Sequence, residues 1–363
     1  MKRKRSPDST LIIVTFILLG IGLVMVFSSS YHQGLNRFND SLHFIKLQLI
    51  YAGIGLIAMY ITSNFNFWQW KRFIILFFFL NFILLGVVLI PGIGVEIYGA
   101  RRWLNLGFMR FQPSDFTKFA LILFAANYMS KKERLTKFFS GIIPLLAVVG
   151  LSLGLIMLQP DLGTTVAIGG TIGIMLFAAG AKMSHLLFLG SLSLPAVIYL
   201  IFSADYRLAR IFSFLDPWAD PTGSGWQIIQ SLYGIAGGGL LGVGLGNSRQ
   251  TTGFLPEPQN DFIFSIICEE LGLLGALFVL LLFVILVWRG FNIAIKIEDT
   301  FGSFLAMGLT TMIALQVIIN VGVVTSSMPT TGITLPLISY GGTSLIITLA
   351  SIGIILNVSR YIN

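Results

Sequence analysis

Apolar residues in this chain rarely alternate or gather on one helical face; they come in long runs separated by short polar stretches. Runs of roughly 18 or more apolar residues read as membrane-crossing helices, because about 20 helical residues span the hydrocarbon of a bilayer. Such runs fall near residues 10–30, 45–63, 73–91, 114–130, 141–158, 162–180, 185–203, 262–288, 301–323 and 341–358. Each is expected to be helical, since backbone left open to lipid cannot satisfy its hydrogen bonds. The pattern predicts an all-α polytopic membrane protein of about ten spans, with residues 1–363 forming one integral membrane domain.

The polar intervals set the orientation. Lys2 to Arg5, Lys71, Arg72, Lys131, Lys132, Arg134, Lys137, Lys182, Arg289, Lys296 and Arg360 fall on one side of an alternating topology, and they are most of the 23 basic residues. By the positive-inside rule that side, with both termini, is cytoplasmic. Two external intervals are longer, 91–113 and 204–261. The second is rich in Gly, Pro and Trp and too long for a turn. Within it, residues 227–245 are moderately apolar and suggest a helix lying on the membrane or a re-entrant piece. MKRKRSPDST followed by LIIVTFILLGIGLVMVF begins like a signal peptide, but the run is too long for a cleaved segment and is read as the first retained span.

Composition narrows the function classes. A chain that is 55% hydrophobic and 10% charged is not a soluble domain. Its net charge of +8 is explained by orientation rather than nucleic-acid binding. One cysteine, Cys268, excludes an internal disulfide, and the scattered His32, His43 and His185 argue against a zinc or haem centre. There is no P-loop, and the glycines of GGGLLGVGLGNS lack the βαβ context of a dinucleotide fingerprint. His185 is expected on the cytoplasmic side, away from the external acids, so a Ser-His-Asp hydrolase has no base where it would need one.

Candidate chemistry gathers at the external side. In LPEPQNDFIFSIICEELG, Asp261 directly precedes an apolar run, at the boundary where ionised groups are costly and are usually kept for a task. Glu257 lies just before it. Glu269 and Glu270, about two helical turns deeper, read as packing and hydrogen-bonding residues. In FQPSDFTKFA, Pro113 suits a first helical turn, and Asp115 and Lys118 share a face; they form either a site or a structural ion pair. Asp161 of LQPDLGTT can cap the following helix and support a site. Arg101, Arg102, Arg110, Arg207 and Arg210 suit a lipid with a phosphate or pyrophosphate head, since arginine binds phosphate bidentately. Snorkelling towards anionic lipid accounts for one or two of them. Gln316, Asn320 and the stretch SSMPTTGITLPLISYGGTS add polar groups. Pro329, Pro336, Gly341 and Gly342 there predict irregular backbone lining a cavity, with Ser339 and Tyr340 in supporting positions.

Taken in order, GARRWLNLG, FQPSDFTKFA, QPDLGTT, FLDPWADPTGSGWQIIQSLYGIAGGGLLGVGLG, LPEPQNDFIFSIICEELG and TGITLPLISYGGTS resemble the SEDS family, the FtsW, RodA and SpoVE group. The likeness covers nearly the whole chain, and its wording leans to the division and sporulation branch. It implies a peptidoglycan glycosyltransferase that polymerises lipid II at the outer face of the bacterial cytoplasmic membrane. It also implies a class B penicillin-binding protein as partner. The essential aspartate of the family's PE-x-x-x-D-F motif falls on Asp261. The acid–lysine pair falls on Asp115 and Lys118, and the motif arginines on Arg101, Arg102, Arg207 and Arg210. Asp115 replaces the usual glutamate, one methylene shorter, and Thr251 and Thr252 stand where relatives often carry a lysine.

These residues give a mechanism in which Asp261 is the general base. Arg101, Arg102, Lys118, Arg207, Arg210 and Glu257 bind substrate, and Asp115, Asp161, Ser339 and Tyr340 support the site. A divalent cation, Mg or Mn, is allowed by the acids without being shown by a motif, and Asp115 is its candidate ligand. The alternatives are a lipid II flippase and a non-catalytic scaffold for the penicillin-binding protein.

Overall fold

The computed structural model describes residues 5–97, 99–107, 109–131 and 138–362. Lys2, Arg3, Lys4, Lys132, Arg134 and Lys137, which entered the orientation argument, lie outside the described residues. The helices are α1 (Ser9–Phe38), α2 (His43–Asn64), α3 (Trp70–Val87), α4 (Pro113–Met129), α5 (Ile143–Met157) and α6 (Leu162–Ala178). They continue with α7 (Met183–Phe202), α8 (Asp205–Leu215), α9 (Trp226–Gly238), α10 (Ile263–Lys296), α11 (Thr300–Val324) and α12 (Gly342–Ser359). Among the described residues, eight helical stretches are long and apolar enough to cross a membrane, those built on α1, α2, α3, α5, α7, α10, α11 and α12. Helices α4 and α6 have 17 residues each. That is about 26 Å of helix, short of the roughly 30 Å hydrocarbon layer.

The long polar intervals are structured. Residues 91–113, expected as a loop, fold into a three-stranded antiparallel sheet of β1 (Gly94–Ile97), β2 (Ala100–Asn105) and β3 (Arg110–Phe111). The strands are too short for alternation to stand out beside twenty-residue apolar runs. The interval 204–261 holds α8 and α9, so the moderately apolar stretch is helical in its first part. Polar side chains start several helices. Asp8, Asp161 and Asp299 each accept a backbone N–H in the first turn of α1, α6 and α11, at 2.9, 3.1 and 2.8 Å.

Helix α11 packs against α4, α6, α10 and α12, and α12 lies along α2. The α2–α12 seam depends on Gly353, where a Cβ would collide with the backbone of Met59 and the hydroxyl of Thr62. Asn357 closes the seam: its Nδ2 donates to the Ser63 carbonyl at 2.8 Å and its Oδ1 accepts from the Phe67 amide at 2.9 Å.

Helix α10 is 34 residues long but broken at Gly272, whose φ of 69° and ψ of −173° are not helical. The break frees backbone groups that the glycine-rich loop after α9 takes up. Val243 and Gly244 donate to the Glu269 and Glu270 carbonyls at 3.0 and 3.1 Å, and Leu273 donates to the Gly239 carbonyl at 2.9 Å. Gly242 and Gly272 touch backbone to backbone, so neither has room for a side chain. Both acids are buried and act as acceptors: Ser28 donates to Glu270 at 2.6 Å, while Ser248 and the Arg249 amide donate to Glu269. At one end of the bundle Arg5, Asp8, Arg289, Asp299 and Arg360 collect; Asp8 accepts from Arg289, and the Arg5 amide donates to the Arg360 carbonyl.

Gly353→Val should lower the unfolding midpoint of the detergent-solubilised protein, by the equivalent of about 1–3 kcal/mol typical of overpacked sites. Thermal unfolding monitored by an environment-sensitive thiol probe on Cys268 checks this; an unchanged midpoint would mean the seam can yield.

Candidate active site

Asp261 stands on a turn between two prolines and α10. The turn is wound tightly: Glu257 has a left-handed φ of 48°, its carbonyl accepts from the Asn260 amide at 3.0 Å, and its Oε2 accepts from Asn260 Nδ2 at 2.8 Å. Arg37, near the end of α1, donates to Glu257 Oε1 at 3.4 Å. The Gln259 side chain meets Gln33 of α1, and the Gln259 carbonyl accepts from the Tyr340 amide at 2.8 Å. The Asp261 carbonyl accepts from Asn320 Nδ2 of α11, also at 2.8 Å. The backbone under Asp261 is therefore held from α1, from α11 and from the segment before α12.

The carboxyl of Asp261 is partly exposed, yet protein surrounds it closely enough that desolvation raises its pKa to about 6. Its own backbone N–H lowers the value, the nearby Glu257 charge raises it, and Arg210 lowers it. Arg210, on α8, is itself pulled down by burial and by the neighbouring Arg102; Tyr206, Asp261 and Asp161 pull the other way. Arg102, Asp161 and Asp261 therefore lie within electrostatic reach of Arg210. Arg102 reaches in from β2 to the turn between α5 and α6, donating to the Gln159 carbonyl at 2.9 Å and to the Pro160 carbonyl. Asp161 follows as the α6 cap. Arg210 also donates to the Thr330 carbonyl at 3.3 Å.

Two of the expected arginines are engaged elsewhere. Arg101, next to Arg102 on β2, points the other way and pairs with Glu96 at 2.9 Å on the outer face of the sheet. Arg207 is bound in the α7–α8 corner, to the Leu200 carbonyl at 2.6 Å, to Ser203 at 3.0 Å and to the Tyr206 hydroxyl at 2.7 Å. Among the described residues, no hydrogen bond or ion pair joins either to Asp261. Glu257 is beside it.

Asp115 and Lys118 form a buried pair at 2.8 Å. They line a cleft between α4, α11 and α12 whose other polar walls are Gln316, Ser344, Thr348 and Ser351. Gln316 and Asn320 are one turn apart on α11, so this cleft lies about 6 Å along the helix from the side chain that holds Asp261. The cleft does not fit a divalent cation. Its single carboxylate is already bonded to an ammonium, which a metal would have to displace. Among the described residues no group of three or more His, Cys, Asp or Glu could hold one.

Ser339 and Tyr340 belong to a buried stretch without helix between α11 and α12. Ser339 Oγ accepts from the Leu335 amide at 2.8 Å, and Gln48 of α2 donates to the Ser339 carbonyl at 3.1 Å. Tyr340 sets its ring edge against Phe44 at 5.3 Å. Gln48 and Thr330 carry positions that sequence reasoning missed. For Gln48 the available signal was an uncharged polar residue inside an apolar run; for Thr330, which contributes only a carbonyl, there was none.

Comparison with known proteins agrees with this architecture. The chain matches, over residues 9–363, the FtsW, RodA and SpoVE family model described as a cell cycle protein. It is 50% identical over 360 residues to stage V sporulation protein E of Bacillus subtilis, covering 99% of this chain and 98% of that one. It is 43% identical over 353 residues to a probable peptidoglycan glycosyltransferase FtsW of Trichlorobacter lovleyi, covering 97% and 93%. One solved structure, described as the structural coordination of polymerization and crosslinking by a peptidoglycan synthase complex, superposes with a TM-score of 0.80 at 30% identity, over 98% of both chains. The rod shape determining protein RodA of Thermus thermophilus superposes at 0.72 with 26% identity, again over 98% of both. With a full-length family match and half its residues shared with a sporulation protein, the chain belongs to the FtsW, RodA and SpoVE family.

Proposed function

We propose that this chain polymerises lipid II into β-1,4-linked glycan at the outer face of a bacterial cytoplasmic membrane, with Asp261 as general base. The observation that carries the reading is a carboxyl raised to about 6 with Arg210 in its field and Arg102 in turn beside Arg210. Glycosyl transfer needs both kinds of group. The acceptor C4 hydroxyl gives its proton to the Asp261 carboxylate as its oxygen attacks the donor's anomeric carbon. The bond from that carbon to the pyrophosphate oxygen breaks on the opposite face, so an α-linked donor gives a β product and no covalent sugar intermediate forms. Undecaprenyl pyrophosphate leaves with the electron pair, and Arg102 and Arg210 stabilise its charge. Glu257 orients the acceptor. The Asp115–Lys118 cleft contributes a third cation, Lys118, beside Gln316, which lies one turn along α11 from Asn320.

The orientation rests on charge. The end bearing Arg5, Lys71, Arg289, Lys296 and Arg360 is the basic one and is assigned to the cytoplasm with both termini. The sheet, α8, α9 and the Asp261 turn then face outwards. Helices α4 and α6 are included as short spans, for ten in all; Asp115 lies in the first turn of α4 and Asp161 caps α6, both at the end assigned to the outside. A class B penicillin-binding protein is the partner this reading implies. The structural match to a chain of a polymerizing and crosslinking complex supports it.

Asp261→Ala should abolish glycan synthesis from purified lipid II while leaving yield and thermal midpoint unchanged. Gel analysis of the glycan product, run beside a liposome flipping assay, checks this; full polymerisation by the variant would falsify the base assignment. The pH dependence has a defined sign. Because the Asp261 pKa is raised, its base form is lost as pH falls through about 6, well above the roughly 4 of an ordinary aspartate. The acid limb of kcat/KM should lie there. Arg210→Gln removes a charge that lowers the value and should move the limb upwards, whereas Glu257→Gln should move it downwards. Initial rates across the pH range read both shifts.

A further inference from the structure

Asp261 sits where no regular element fixes it. Helix α10 begins at Ile263, and the Ser265 amide takes the Phe262 carbonyl at 3.0 Å, so the Asp261 carbonyl lies outside that ladder. It is taken by Asn320, a residue of α11 that is only 1% exposed. The same Nδ2 donates at 2.8 Å to the carbonyl of Ile333, in the irregular segment before α12. That segment also carries the site's cationic side. Arg210 donates to the Thr330 carbonyl, and Thr331 packs on Gly163 so tightly that a Cβ there would lie 2.9 Å from the Thr331 Cβ. Gly163 is the second residue of α6, whose cap is Asp161. Residues 330–333 are thus a common mount for Arg210 and the start of α6, and Asn320 fastens the backbone of Asp261 to that mount.

The chemistry of the amide suits this role and little else. An Asn side chain offers two N–H donors in one plane, one for each carbonyl. Its Oδ1, by contrast, is buried without a partner. As a packing residue Asn320 is a poor choice, since leucine would fill the space without an orphaned acceptor. The donors account for its presence. We propose that Asn320 is a positioning residue for glycosyl transfer, setting the direction of Asp261 relative to Arg210 through its two carbonyl bonds. The proposal rests on the reading of Asp261 as the base.

The test uses the full-length chain under conditions where the unsubstituted protein polymerises lipid II. Asn320→Leu removes both donors, Asn320→Asp keeps the shape but turns acceptors towards the two carbonyls, and Asn320→Gln restores a donor on a longer arm. The expected result is a kcat lower by about 10²-fold in the first two, the scale of a 1 Å misplacement. The lipid II KM should stay within about threefold, because uniform binding is untouched. Asn320→Gln should recover part of the rate. Thermal midpoint and monodispersity identify any variant that fails to fold, and the near-isosteric Asn320→Asp then carries the measurement. A rate that falls only with the folded fraction, or a raised KM with kcat intact, overturns the proposal. Asp261→Asn separates the two levels. If it is inactive while Asn320→Leu keeps full kcat, the positioning role alone fails; if it polymerises normally, the reading of the base fails.

Discussion

Backbone amides and carbonyls cannot stay unpaired where water is excluded, and between α11 and α12 the chain from Ile333 to Ser339 is largely buried without forming helix. Ile333, Leu335, Leu337, Ile338 and Ser339 are all buried there. The groups a helix would satisfy internally are satisfied by side chains: Gln48 from α2, Asn320 from α11 and Arg210 from α8 donate to carbonyls, and the Ser339 hydroxyl, within the segment, accepts from the Leu335 amide. The three donors Gln48, Asn320 and Arg210 are each carried by a helix, which ties the segment to the bundle. The cost is a set of polar residues inside apolar helices. What it yields is a non-helical mount, deep at one end of the bundle, from which carbonyls can point at the residues around Asp261.

The break in α10 solves the same problem differently. Gly272 interrupts the ladder, and the loop from Gly239 to Gly244 supplies backbone partners directly, which only glycine-rich chain can approach closely enough to do. Glu269 and Glu270 then hold the far end of that loop through Ser248, the Arg249 amide and Ser28. These acids reinforce the path of the chain from α9 to the Asp261 turn. The passage before α12 meets the Asp261 turn directly, through the Tyr340 amide on the Gln259 carbonyl, whereas the break within α10 holds the loop after α9.

Much of this was legible in the sequence for a simple reason. Twenty-residue apolar runs have few alternative folds in lipid, so the runs could be read as helices. Among the described residues eight of them are long enough to cross a membrane, although α1 and α10 continue well past the expected ends to Phe38 and Lys296. Asp261 stood out as a candidate because an acid abutting such a run is expensive. What remained hidden depends on pairing between distant segments. Asn320 meets residue 261 across 59 positions and Gln48 meets residue 339 across 291, and no periodicity reports which carbonyl a buried amide will choose. Arg101 and Arg102 illustrate a second limit. As an arginine pair they read as one cluster, but on a strand neighbouring side chains face opposite ways. The strand assignment, missed because β2 is short, sends Arg102 to the α5–α6 turn and Arg101 to Glu96.

The charge arrangement around Asp261 also bears on why base and cation share one small region. Desolvation and the Glu257 charge make the Asp261 carboxyl hold its proton more firmly than an ordinary aspartate does. Its own backbone N–H and, more weakly, Arg210 counter them, and the balance is a pKa raised to about 6. In the proposed reaction the proton reaching Asp261 cancels the charge that Arg210 was balancing, just as negative charge grows on the departing pyrophosphate. The negative charge in Arg210's field moves from one oxygen pair to another instead of being created or destroyed. A fixed cation serves both states without reorganising, which is where preorganised electrostatics contribute most to a rate. That demands a constant distance between Arg210 and Asp261, and the segment at residues 330–333, bonded towards one through Thr330 and towards the other through Asn320, is the element that keeps it.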